Sequence, residues 1–246
     1  MSISLLLEMA VSGDPDRVAV VSGDTRLTTQ ELSDLADGGA GVITSSGAEH
    51  VVYVGAGGAT LPLLLFASAR AARGFTPINY RLSADGIQAL IKRLPKPLVI
   101  VDERYRETVG DAGLAVMESN EFIAAARTAE PVVEFADPDA VGVVLFTSGT
   151  TSAPKAVELS HNNLTSYITG TVEFGAAEPT DAALICVPPY HIAGVNAAMS
   201  NLYAGRKMVY LTNFEAHEWV RLVESLPRSF RSGDHRSGSQ RAARRP

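Results

Sequence analysis

The chain has 246 residues, 46% of them apolar, with a formal net charge of -6 and a pI near 5.4. That apolar share supports a real core, and the few aromatics and ordinary charge exclude a disordered chain or a coiled coil. The acidic balance excludes nucleic acid as a partner for the body of the protein.

The single cysteine, Cys186, lies in the apolar run ALICVPP and is expected to be a buried strand thiol. It can form no disulfide within the chain, which suits a reducing cytoplasm. The five histidines are scattered without ligand spacing, so a structural zinc site is not expected. MSISLLLEMAVSG lacks a basic start and carries Glu8 in its apolar run, unlike a signal peptide. The longest lipid-like stretch, TLPLLLFASA, falls well short of the ~20 residues of a spanning helix. The chain reads as soluble, with no integral membrane segment.

In chain order, VAVVSG (18–23) is expected to be a strand ending in a turn. A helix follows with a capping-box pattern from Thr28 to Glu31, weakened in its second half by Gly38 and Gly39. HVVYVG (50–55) reads as a buried strand, and residues 59–74 as a helix stopped at Gly74. FTPINYRLSADGIQALIKRL predicts a strand, a turn and a helix capped by Ser83, followed by the strand PLVIVDE (97–103). After a mixed region, AVGVVLF (140–146) is an almost unbroken apolar strand, followed after a loop by KAVELS and a helix from about Asn162. The strand AALICV (182–187), a helix from about His191, the strand KMVYL (207–211) and a helix over 214–224 complete the pattern. Strands and helices alternate, so the fold class is α/β.

The strand 140–146 runs directly into LFTSGTTSAPKAV (145–157). A phosphate-binding loop needs closely spaced N–H groups, small side chains, hydroxyl donors and a cation. Thr147, Ser148, Thr150 and Thr151 supply hydroxyls, Gly149 allows close approach, Lys155 supplies charge, and Pro154 stiffens the exit. The order is not that of a Walker P-loop, so that class of NTPase is disfavoured. Alone, such a loop is more often a solvated loop than a nucleotide site.

Three ordered motifs decide between these: TSGTTSAPKAV, LSHNNL (159–164) and PPYHIAG (188–194). Together they resemble the adenylate-forming, or AMP-binding, superfamily of acyl-CoA synthetases, peptide-synthetase adenylation domains and luciferases. TRLTTQELSDLAD and ARAARGFTPINYRLSADGIQALI resemble earlier segments of that family, so the resemblance covers roughly residues 10 to 225. Ser152 and Ala156 stand where the family usually has glycine, and each costs roughly 1–2 kcal/mol if its backbone needs positive φ. Tyr190-His191 favours the acyl-CoA synthetase branch over amino-acid adenylation, where Phe-Asp is more usual. The alternative use of His191 is as a helix cap, and His161 is expected to be structural.

The resemblance implies ATP, Mg2+ and coenzyme A as co-substrates and a carboxylic acid, by default a fatty acid, as substrate. Thr147, Ser148, Gly149, Thr150, Thr151 and Lys155 would hold the ATP phosphates. His191 would orient the carboxylate or gate its pocket. The family's adenine-binding stretch, its Mg2+-holding Glu, its ribose-binding Asp and its mobile C-terminal domain have no match here. Residues 1–225 are therefore expected to form a partial N-terminal domain with weak or lost catalysis, the alternative being a non-catalytic nucleotide- or acyl-binding remnant. Residues 226–246, with six arginines and one acidic residue, read as a disordered tail of the kind an out-of-frame translation yields. Oligomeric state is not encoded in these patterns.

Overall fold

The computed structural model describes residues 1–110, 113–147, 154–212 and 215–225. The chain opens with α1 (Ser4–Gly13), the hairpin β1 (Val18–Ser22) and β2 (Thr25–Thr28), and α2 (Thr29–Ser45). Alternating elements follow: β3 (His50–Val54), α3 (Thr60–Arg70), β4 (Gly74–Pro77), α4 (Ala84–Ile91) and β5 (Pro97–Val101). The mixed region resolves into α5 (Arg106–Val109), β6 (Ala115–Glu118) and α6 (Ser119–Ala126). Then come β7 (Val141–Thr147), β8 (Lys155–Ser160), α7 (His161–Thr171), β9 (Ala182–Ile185), α8 (Ile192–Ala204), β10 (Lys207–Tyr210) and α9 (Ala216–Ser225).

The strands form two sheets, one of order β2-β1-β10-β9 and one of order β6-β5-β3-β4-β7-β8. Only β2 and β8 run antiparallel to their described neighbours. Burial on both faces explains the unbroken apolar strands. Val51 and Tyr53 of β3 face one core with α1, α2, α3 and α8, which Val20 and Met208 of the smaller sheet share. Val52 and Val54 face a second core with Ile87, Leu90 and Ile91 of α4. The far face of the smaller sheet packs Val209 against Leu222 of α9. Five layers result: helix, six-stranded sheet, helices, four-stranded sheet, helix.

Local signals place several boundaries. Thr28 and Glu31 form the expected capping box of α2, and Ser83 Oγ accepts from the Gly86 amide at 3.2 Å. Helix α2 continues through its glycines to Ser45. A Cβ on Gly38 would overlap the Ala126 carbonyl, and one on Gly39 would lie 3.0 Å from Ala67 Cβ and 3.1 Å from the Phe122 ring. These glycines let α2 pack closely against α3 and α6.

Two further expectations are corrected. Helix α3 stops at Arg70, and Gly74 begins β4 instead of ending the helix. The stop is a Schellman motif: the Arg73 amide donates to the Ser68 carbonyl at 2.9 Å and the Ala72 amide to Ala69 at 3.3 Å, with Ala72 at φ 52°. Cys186 is exposed, because β9 is a sheet edge ending at Ile185 and the chain turns outward there. Sequence periodicity also missed α1, whose Leu6 and Leu7 are fully buried. His161 is structural as expected: it is buried, and its Nδ1 accepts from the Ile3 amide at 3.3 Å.

A second buried histidine makes stability depend on pH. His50 Nε2 lies 2.7 Å from Thr76 Oγ1 between β3 and β4, and burial lowers its pKa to about 4. Below its ordinary value of about 6.5 the unfolded chain takes up a proton that the folded chain refuses, so stability falls with acidification. Between neutral pH and about pH 5 this amounts to about 2 kcal/mol. Urea unfolding of wild type and His50→Gln at both pH values checks it: the wild type is expected to lose about 2 kcal/mol more than the variant.

Candidate functional site

The six-stranded sheet presents the carboxyl ends of its parallel strands along one edge, where ligands bind in open α/β sheets. At that edge β7 ends at Thr147 and β8 returns from Lys155, and the two residues are register partners. Thr147 and Lys155 are both exposed. The intervening Ser148, Gly149, Thr150, Thr151 and Ser152 lie outside the described residues. Ala156 pairs with Phe146 in the ladder and is not among the positive-φ residues, so its Cβ carries none of the strain considered from the sequence.

Beside the stems lies a cleft of about 530 Å3. The β7–β8 hairpin contributes Phe146, Thr147, Pro154 and Val157, and the opposite wall comes from Asn79, Leu82 and Leu90. Tyr190, His191, Ile192 and Ala193 close it from the start of α8. The fold thus brings together three stretches that are far apart in sequence. A mostly apolar lining with Asn79, Thr147, Tyr190 and His191 as its polar side chains suits a ligand with a polar end and an organic body.

His191 occupies the N-cap position of α8 but makes no side-chain cap bond. Capping is therefore not the use of its ring, which is exposed and packs 4.6 Å from the Tyr190 ring. The turn is tight at Gly194, where a Cβ would stand 2.6 Å from the Pro188 carbonyl oxygen.

A feature missed in sequence adjoins the cleft. Tyr80 stacks on Tyr105 at 4.9 Å and meets Tyr190 edge-on at 5.6 Å. Arg81 lies 5.7 Å from the Tyr80 ring and Arg104 4.8 Å from that of Tyr105. Burial raises the Tyr190 and Tyr105 phenols above their ordinary range, with Arg81 and Arg104 respectively opposing it, so both stay neutral. Flat rings flanked by guanidinium groups can hold an aromatic base and its phosphates. Its sequence trace was Tyr80-Arg81 and Arg104-Tyr105, two short repeats of one aromatic–cation pairing in separate segments.

Fold and cleft together define an N-terminal domain of the adenylate-forming class. The chain belongs to the AMP-binding enzyme family, whose profile matches residues 7–230. It is 24% identical over 243 residues to indoleacetate–CoA ligase of Aromatoleum aromaticum, covering 91% of this chain and 48% of that protein. It is 26% identical to the fatty acid–[acyl-carrier-protein] ligase ScoC of Streptomyces coeruleorubidus, covering 87% of this chain and 44% of that protein. The chain thus spans about half the length of these relatives.

In fold it matches ATP-bound MatB of Rhodopseudomonas palustris with a TM-score of 0.79 and 23% identity, over 92% of this chain and 48% of that one. The inhibitor-bound N-terminal domain of FACL13 from Mycobacterium tuberculosis matches with a TM-score of 0.81 and 22% identity, over 91% of this chain and 61% of that one. Among the described residues no helix is long and apolar enough to cross a membrane.

Proposed function

We propose that the chain carries the phosphate-holding and acyl-holding part of an acid–thiol ligase site, acting on a carboxylic acid, by default a fatty acid. One observation carries this reading: a single cleft is lined by both stems of the hydroxyl-rich loop and by the Tyr190-His191 turn. ATP phosphates would be held by Thr147, Ser148, Gly149, Thr150, Thr151 and Lys155, residue types that supply the N–H groups, hydroxyls and cation a phosphate needs. The acyl body would lie against Leu82, Leu90 and Ile192, with its carboxylate beside His191.

The chemistry has two steps. A carboxylate oxygen attacks the α-phosphorus of ATP and pyrophosphate leaves, giving acyl-AMP. The thiol of coenzyme A, losing its proton, then attacks the acyl carbon and AMP leaves, giving the thioester. Positioning and charge stabilisation supply most of such catalysis. Lys155 would stabilise the departing pyrophosphate, and the Tyr80–Tyr105 stack would receive an adenine of the co-substrate. The described residues contain no group of three or more His, Cys, Asp or Glu fit to hold a metal ion. Mg2+ would arrive on the nucleotide's phosphates and would supply charge neutralisation there.

We further propose that residues 1–225 are the folded unit and that the Arg/Ser-rich residues 226–246 take no part in the site. Titration of the purified chain with Mg-ATP tests the phosphate assignment. Lys155→Ala is expected to weaken binding by about tenfold or more, the worth of one charge-assisted contact. Equal affinity in wild type and variant overturns it. The alternative reading is a nucleotide- or acyl-binding remnant. Mg-ATP binding without carboxylate-dependent pyrophosphate exchange would select it.

A further inference from the structure

We infer that Arg93 is a positioning residue for Thr147 and Lys155, holding the residue next to each from the end of α4; this rests on the phosphate-holding reading above. Arg93 follows Lys92, the C-cap of α4, and is separated from its contact by 61 positions in the chain. Its Nη1 donates to the Pro154 carbonyl at 2.6 Å. Its guanidinium carbon stands 4.8 Å from the centroid of the Phe146 ring. Pro154 immediately precedes Lys155, and Phe146 immediately precedes Thr147. One cation therefore touches each strand next to the register pair Thr147–Lys155.

The chemistry of the three partners explains the arrangement. Proline has no amide N–H, so its carbonyl is the backbone group by which the start of β8 can be held. A guanidinium donates to that oxygen while keeping its plane available to the Phe146 ring. Phe146 and Pro154 line the cleft together with Leu82 and Leu90, so the same arginine ties the α4 wall to the stems. Stems held at a set separation leave less conformational freedom for a ligand to remove when it orders the groups around it. Arg93 thus acts through the backbone that carries Lys155 and Thr147, without touching the ligand.

The test is titration of the full chain with Mg-ATP, at low and high salt and well below the melting transition, for wild type, Arg93→Met and Arg93→Lys. Met keeps the apolar stem and loses the donor; Lys keeps a donor and a cation. Arg93→Met is expected to weaken Mg-ATP binding by about tenfold, the worth of a charged hydrogen bond to a carbonyl. Arg93→Lys is expected to regain most of that loss, with the gap between the variants persisting at high salt. A purely structural role would move the melting temperature and leave affinity unchanged, which overturns the inference. A gap that vanishes at high salt also overturns it, because it would mark long-range charge rather than positioning. Wild type that binds no Mg-ATP instead removes the phosphate reading of the loop, and the inference falls with it.

Discussion

Replacing Gly38 with alanine is expected to destabilise the protein by about 3 kcal/mol, at the upper end of what overpacking costs. Propensity alone gives the opposite sign, since alanine at an exposed helical position gains about 1 kcal/mol over glycine. Packing decides. The added Cβ would overlap the Ala126 carbonyl oxygen, a backbone atom at the end of α6 that no rotamer change can move. A Cβ added at Gly41 would meet the Glu130 carbonyl oxygen in the same way, so α2 runs equally close to this backbone one turn further on. The contrast is Gly47→Ala, beyond the end of α2, where a Cβ meets nothing within 4 Å and only the φ of 69° opposes it. That variant is expected to lose about 1–2 kcal/mol. Denaturant unfolding of both variants checks the order, and a stabilised Gly38→Ala would mean that α2 and α6 do not approach as described.

Arg70→Ala is expected to cost about 3 kcal/mol at neutral pH, in the range for stranding one member of a buried ion pair. Arg70 is 2% exposed on α3, where it meets α2. Its Nη1 lies 2.6 Å from Asp37 Oδ1 and donates to the Ser33 carbonyl at 2.6 Å, while Nη2 donates to Ser33 Oγ at 2.9 Å. Burial raises the Asp37 pKa and lowers that of Arg70, each opposed by the partner's charge. Removal of the guanidinium leaves the Asp37 carboxylate with burial unopposed, so its folded pKa rises further. A carboxyl raised in the folded state contributes stability at low pH that is lost as pH rises through the folded value. The deficit of Arg70→Ala against wild type should therefore shrink on acidification to about pH 4. A deficit that stays constant from pH 7 to about pH 4 would show that lost packing, not the stranded charge, sets the cost. Arg70→Met, which restores volume alone, separates the two contributions at a single pH.

How much of this was legible beforehand varies element by element. The strands over His50–Val54, Pro97–Val101 and Val141–Thr147 were readable because burial on both faces demands nearly continuous apolar runs. Caps at Thr28 and Ser83 were readable because a side-chain oxygen two or three residues ahead of a helical N–H is a local geometry. Helix α1 and strand β2 were not. The burial of Leu6 and Leu7 against distant helices and the pairing of β2 with β1 depend on partners that no short window contains.

The same division runs through the site. The sequence by itself determined the class of fold and named the hydroxyl-rich stretch with its lysine and the aromatic–His stretch as candidates, because each rests on residue chemistry and short spacing. Only the tertiary structure decided which glycines allow close helix approach, that Cys186 faces outward, and that His191 leaves capping to the backbone. It alone decided that Tyr80, Tyr105 and Tyr190 meet, and that Arg93 reaches across 61 positions to hold Pro154. The physical reason is common to all of these. Packing contacts and hydrogen bonds between elements are set by sheet order and layer spacing, which bring together side chains whose separation along the chain carries no periodic signal.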